Sequence, residues 1–149
     1  MSNKIFQFGT KPLGTYRERP GAYAVVSDES GQILCLNVNG SFHLPGGGID
    51  NNEDPKITVV RETYEESGCD ICDLKYLGNA NQYFQKEGRE SMNKLGTFYL
   101  AKLDKINEAE SIEDDHIVTW MKPEEFLKSN ASDFAKWAVG ESLKLWTNN

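Results

Sequence analysis

The pattern of apolar and polar positions changes period several times along this chain. Residues 22–27 (Ala-Tyr-Ala-Val-Val-Ser) and 32–38 (Gln-Ile-Leu-Cys-Leu-Asn-Val) read as strands, and Asp28-Glu29-Ser30-Gly31 between them is a hairpin turn signal. The polar lead-in over residues 1–20 carries Gly9, Pro12, Gly14 and Pro20 and reads as irregular or weakly strand-forming. A short apolar stretch at 42–44 runs into Pro45-Gly46-Gly47-Gly48. Three successive glycines imply a backbone that turns tightly or approaches something closely. Asp54-Pro55 then opens a helix, because Asp is a favoured N-cap and Pro is tolerated at the first helical position. The helix is expected to reach about Ser67, with Gly68 as its left-handed stop.

Strands follow near 74–84 and 95–103, joined by a polar loop over 85–94, and another strand is expected at 117–121. A helical turn at 123–128 leads to a terminal helix over 132–146, with Phe134, Trp137, Ala138 and Leu145 near one face. Strands on both sides of a central helix predict an α/β or α+β sandwich. No internal repeat, low-complexity tract or long linker divides the sequence, so residues 1–149 are expected to form one domain.

The central helix is where apolar patterning and charge conflict. At about 100° per residue, Ile57, Val60 and Tyr64 fall together as a stripe expected to be buried. Glu62, Glu65 and Glu66 share a separate arc, with Glu62 and Glu66 one turn apart and Arg61 one turn from Glu65. Like charges four residues apart repel, and acids in a last turn oppose the helix dipole. A divalent cation removes both penalties, and carboxylate oxygens suit Mg²⁺. A solvated acidic face would carry the same residues.

Composition narrows the function classes. With 149 residues, 38% hydrophobic and 26% charged, the chain is long enough for a core. The formal net charge of −7 argues against affinity built on coating phosphates with Lys and Arg, although bound cations can reverse a local field. No apolar run approaches the roughly 20 residues of a membrane span, and residues 1–10 lack a secretion-signal pattern, so a cytoplasmic address is expected. Three cysteines, Cys35, Cys69 and Cys72, make no disulfide framework.

Spacing turns the helix into a motif. From Gly47 the chain has five residues, Glu53, seven residues, then Arg61-Glu62-Thr63-Tyr64-Glu65-Glu66-Ser67-Gly68-Cys69. This resembles the Nudix box, Gly-x5-Glu-x7-Arg-Glu-U-x-Glu-Glu-x-Gly-U, with U aliphatic. All seven fixed positions match, while Thr63 and Cys69 are small rather than aliphatic and are expected to face the interior. Leu44-Pro45-Gly46-Gly47-Gly48, Arg19-Pro20-Gly21-Ala22 and the segment from Trp120 through Pro123-Glu124-Glu125 look like the surroundings usual for that box.

The resemblance to Nudix hydrolases implies an α/β/α sandwich with a mixed central β-sheet, and a loop–helix–loop that holds divalent cations beside a pyrophosphate. Mg²⁺ is the implied cofactor, with Mn²⁺ as a substitute. Glu62, Glu65 and Glu66 match metal-binding positions, and Gly47 matches one that offers its backbone carbonyl. Glu53 and Arg61 match residues that brace the loop against the helix, and Glu65 or Glu66 would take a proton from the attacking water. A further acid often comes from outside the box. Glu113, Asp114 and Asp115 are the candidates, with Glu113 favoured. The implied reaction is cleavage of a phosphoanhydride in a nucleoside diphosphate linked to another moiety X.

Two other readings use the same fold. A nucleotide-sensing module would more naturally have lost one of the three glutamates, and none is lost. An RNA 5′-end pyrophosphohydrolase would be expected to carry a basic RNA-tracking surface, which the net charge weakens. Nudix-like folds often pair, so a homodimer enters as an expectation. Cys69-Asp70-Ile71-Cys72 alone suggests a redox pair or half a zinc site, but Cys69 is already explained as an interior box position. Tyr16, Tyr23, Tyr83, Phe84 and Tyr99 could stack on a base, although strand aromatics are more often core. The loop with Lys86, Glu87, Arg89, Glu90 and Lys94 reads more simply as a polar hairpin than as a cover over substrate.

Overall fold

The computed structural model describes residues 4–85, 87–107 and 116–147. In chain order its elements are β1 (Phe6–Phe8), β2 (Arg17–Ser27), β3 (Ile33–Val38), β4 (Ser41–His43), β5 (Gly46–Gly48), α1 (Pro55–Ser67), β6 (Cys69–Phe84), β7 (Met92–Ile106), β8 (His116–Met121), α2 (Pro123–Leu127) and α3 (Asp133–Thr147). The turn between β2 and β3 forms as its residues dictate. Asp28 Oδ1 accepts hydrogen bonds from the backbone N–H groups of Ser30 and Gln32.

Strand β2 organises the sheet. It runs parallel to β7 from Arg17↔Met92 to Ser27↔Lys102, β6 pairs antiparallel with β7, and β1 adds parallel to β6. On the opposite edge β2 meets β3 only at Ser27↔Ile33. Strand β3 then diverges to pair with β8 and β4, and the glycine strand β5 takes over the edge of β2 at Gly21, Ala22 and Tyr23. The divergence opens a cleft between β2 with β5 and β3 with β8.

Alternation along the strands builds a core on each face. Ala22, Ala24 and Val26 of β2, with Tyr99 and Ala101 of β7, pack toward Val59 of α1. Val25 and Phe98, from the intervening positions, pack toward Phe134, Ala135, Ala138 and Val139 of α3. Phe98 is 1% exposed and meets the rings of Tyr23, Phe134 and Trp137 at centroid distances of 5.3–5.7 Å. Burying such a ring contributes about 1.5–3 kcal/mol. The result is an α/β/α sandwich around a mixed sheet, as the sequence leads one to expect.

Three local expectations change. Ile57 is 58% exposed and Val60 38%, so they are not a buried stripe. Helix α1 instead lays Thr58, Val59, Thr63, Glu66 and Ser67 inward, a largely polar face accommodated by local hydrogen bonds such as Thr58 Oγ1 to Glu53 Oε1 at 2.7 Å. Leu145 is 43% exposed, away from the inward face of α3. The loop between the long strands is shorter than expected, because the pairs Phe84↔Met92, Tyr83↔Asn93 and Gln82↔Lys94 draw residues 92–94 into β7. Among the described residues, no helix is long and apolar enough to cross a membrane.

Candidate active site

Helix α1 begins and ends where its capping residues place it. The Asp54 side chain accepts from Lys56 N at 2.9 Å, and Gly68 stops the helix at φ 73° with its N–H donated to Tyr64 O. Between these caps Arg61 gathers carboxylates from the helix and from the loop before it. Its guanidinium donates to both oxygens of Glu53, through Nη2 at 2.8 Å and Nε at 3.4 Å, so the pair is two-pronged. The same side chain reaches Glu62 at 3.1 Å, Glu65 at 3.4 Å and Asp50 at 3.8 Å. The Glu53 carboxyl is consequently held below its ordinary range, first by the Arg61 hydrogen bonds and then by the Thr58 hydroxyl.

The three glycines come against this helix. Gly46 sits at φ 143°, and a Cβ there would lie 2.2 Å from Ala22 O, so a side chain is excluded. Its N–H donates to Glu66 Oε1 at 2.8 Å, which ties β5 to the last turn of α1. A Cβ on Gly47 would lie 2.7 Å from Glu62 Cδ and 2.9 Å from its Oε2. Bare backbone at Gly47 is therefore what lets the Glu62 carboxylate lie against β5. Glu66 is 9% exposed, and its Oε2 lies 3.9 Å from Nδ1 of His116, the first residue of β8.

One cavity opens from this cluster, and a larger one adjoins it. The smaller, about 340 Å³, is lined by Arg19, Tyr23, Gly46, Gly47, Gly48, Glu66, Lys94 and His116, with Leu36, Val38, His43 and Leu44. The larger, about 850 Å³, lies beyond it between the β3–β4 turn, the β6–β7 hairpin and the start of α3. Val38, His43 and Lys94 belong to both walls. Burial raises the Tyr23 hydroxyl well above its ordinary range, with nearby Glu66 adding to the shift.

The order glycine strand, acidic helix and cleft has counterparts in known proteins. A family model for the NUDIX domain matches residues 17–139. The chain belongs to the NUDIX family. As a family member it is a hydrolase that acts on pyrophosphate bonds. It is 29% identical to Nudix hydrolase 25 of Arabidopsis thaliana, in an alignment covering 87% of this chain and 85% of that protein. RNA pyrophosphohydrolase of Tolumonas auensis is 32% identical over 69 residues, which is 45% of this chain and 40% of that protein. This match therefore spans well under half of the RNA enzyme. The fold superposes on a MutT protein from Bacillus halodurans with a TM-score of 0.67 and 22% identity, covering 82% of this chain and 80% of the other.

Within this NUDIX chain, most residues singled out from the sequence come together. Gly47 touches Glu62; Glu53, Glu62 and Glu65 meet at Arg61; and Glu66 faces Gly46 and His116. Thr63 and Cys69 are buried at 0% and 1%, so both do face inward. Glu113, Asp114, Asp115 and Lys86 lie outside the described residues. Among the described residues, no group of three His, Cys, Asp or Glu side chains is already arranged to hold a metal ion. Glu62 and Glu65 turn to Arg61 while Glu66 turns to Gly46. The donor set still fits a hard divalent cation: carboxylate oxygens, with the Glu62 carboxyl seated where a Gly47 side chain would be.

One contributor escaped the sequence reading. His116 reaches Glu66 only because β8 pairs with β3, at His116↔Val38. Lys94, read within a polar hairpin, and Phe84, weighed as a base platform or a core aromatic, share a cavity wall. Cys69 is buried and Cys72 half-buried, and both are free thiols.

Proposed function

We propose that this protein hydrolyses a phosphoanhydride bond in a nucleoside diphosphate linked to another moiety X, using Mg²⁺, or Mn²⁺ in its place. The observation that carries the reading is the Glu62–Gly47 contact, a carboxylate seated against a side-chain-free backbone, at the mouth of a cleft whose walls include Arg19 and Lys94. Glu62, Glu65, Glu66 and the Gly47 carbonyl would hold the cation. When bound, it supplies positive charge for the phosphate oxygens and lowers the pKa of a water.

The chain's own residues supply positioning. Arg61 holds the Glu53 loop against α1 and sets the direction of Glu62 and Glu65. Gly46 N–H fixes Glu66. Arg19 and Lys94 line the same cavity as Gly47 and Glu66, where their charges would offset part of the substrate's. Glu65 or Glu66 takes the proton as water attacks phosphorus in line, a role typically worth about 10²–10⁴-fold.

The test is release of phosphate fragments from a panel of nucleotide substrates with Mg²⁺, with Mn²⁺ and with EDTA. Metal-dependent release of a nucleoside monophosphate supports the reading. Silence across the panel, with tight nucleotide binding by the same sample, would replace it with a sensing module. The partial match to an RNA pyrophosphohydrolase favours one second reading, RNA 5′-end hydrolysis, over the part of the chain that match covers. A triphosphorylated RNA in the panel and a salt titration of its binding separate the two.

A further inference from the structure

Lys94 stands where the two cavities meet. In register across β2, β7 and β6, Arg19, Lys94 and Gln82 form a polar row. The row lies on the α3 face, since Gln82 Oε1 accepts from Phe134 N at the start of that helix. The Lys94 ammonium lies 4.8 Å from the centre of the Phe84 ring. Phe84 belongs to the larger cavity and packs against Phe134 at a centroid distance of 5.8 Å and an interplanar angle of 68°.

The cavities differ in chemistry. In the larger, Arg89 and Lys94 are balanced by Glu90 and Asp133, and its walls mix Phe42, Phe84 and Met92 with short amides and hydroxyls. That lining suits a flat, uncharged, hydrogen-bonding group, the description of a nucleobase with its sugar. The smaller cavity has Arg19 and Lys94 against Glu66 and suits phosphate.

We propose that Lys94 couples the two cavities, covering the Phe84 ring until a phosphate enters and then leaving it so that a nucleobase stacks there. A cation over a phenyl ring is held less strongly than one hydrogen-bonded to phosphate. Its four-carbon stem lets the ammonium swing from the ring to the smaller cavity without backbone movement. The base subsite is thus open to nucleotides and largely closed to nucleosides. This rests on the hydrolase reading for the position of the phosphate.

The test is binding without turnover. Metal-free protein is titrated, with NMR detection, with the four common nucleoside monophosphates, and the tightest is compared with its nucleoside and with ribose 5-phosphate. We expect the nucleotide to bind about tenfold more tightly than either part. Lys94→Ala should weaken the nucleotide about tenfold yet strengthen the nucleoside roughly threefold, because the ring is uncovered. Phe84→Leu, which keeps an apolar contact with Phe134, should bring the nucleotide down to the level of ribose 5-phosphate. Phe84→Tyr should restore it. A Lys94→Ala protein with unchanged nucleoside affinity overturns the covering role. Unchanged nucleotide affinity in Phe84→Leu, or no nucleotide binding by the unaltered protein, overturns the base subsite. Metal-dependent hydrolysis is measured separately on the unaltered protein, so loss of the hydrolase reading and loss of the coupling are told apart.

Discussion

Gly47 and Glu62 touch across the start of the cleft, and a methyl group on Gly47 would lie 2.7 Å from the Glu62 carboxyl carbon. Such a methyl must push Glu62 aside, because the backbone of β5 is pinned to β2 at Ala22↔Gly47. Gly47→Ala should therefore lower metal-dependent turnover by about tenfold or more while leaving the melting temperature in EDTA nearly unchanged. Steady-state assays beside thermal melts would check this. Unchanged turnover would mean that the Glu62 position does not matter to the chemistry.

Glu66 is held by the Gly46 N–H, and a glutamine can still accept that hydrogen bond. Glu66→Gln should keep the fold and lose about 10²-fold or more in turnover. Without metal its melting temperature should equal or exceed that of the unaltered protein, since one member of the Glu62–Glu66 pair is neutralised. Added Mg²⁺ should raise the melting temperature of the unaltered protein more than that of the variant, by mass action. Near-normal activity in the variant would remove Glu66 from the proposed ligand set.

The Glu53–Arg61 pair should show itself in acid. Glu53 titrates lower in the folded chain than in the unfolded one, where a glutamate ionises near about 4.3. Its contribution to stability is present above that unfolded value and disappears as the pH falls through the lower folded one. Melting temperatures of the protein and of Glu53→Gln should differ above about pH 5 and draw together as the pH falls through the lower folded value. Parallel curves over that range would show that the ionised carboxylate adds nothing.

Burial orders the three thiols. Cys35 is wholly buried and its thiol is pushed up to about 12 by loss of solvent, while Cys69 and Cys72 are raised, mainly by the same cause. Alkylation of the native protein near pH 8, followed by mass spectrometry, should label Cys72 first and Cys35 last. Early labelling of Cys35 would contradict the packing of β3 against α2 and α3. A Cys69–Cys72 disulfide in the isolated protein would reopen the redox reading of that pair.

Much of the local structure was legible in the sequence. Asp54, Pro55 and Gly68 set the limits of α1 through capping, and Asp28 set the β2–β3 turn. Those interactions join residues a few positions apart, so local chemistry decides them. The bridge from Glu53 to Arg61 was also readable, as what the resemblance to the Nudix box implies for those two positions.

The spacing Gly47–Glu53–Arg61–Glu62–Glu65–Glu66–Gly68 and the order of strands around one acidic helix were enough, by themselves, to determine the family and its fold. Which side of that helix is buried was decided only by the sheet beneath it. A polar face with Thr58, Thr63 and Glu66 went inward and Ile57 went out, against the apolar pattern. Tertiary pairing also brought His116 to Glu66 and Lys94 to the wall between two cavities. These contacts join residues distant in sequence, and they depend on how β3 leaves β2 and on strand register, which no local pattern of residues encodes.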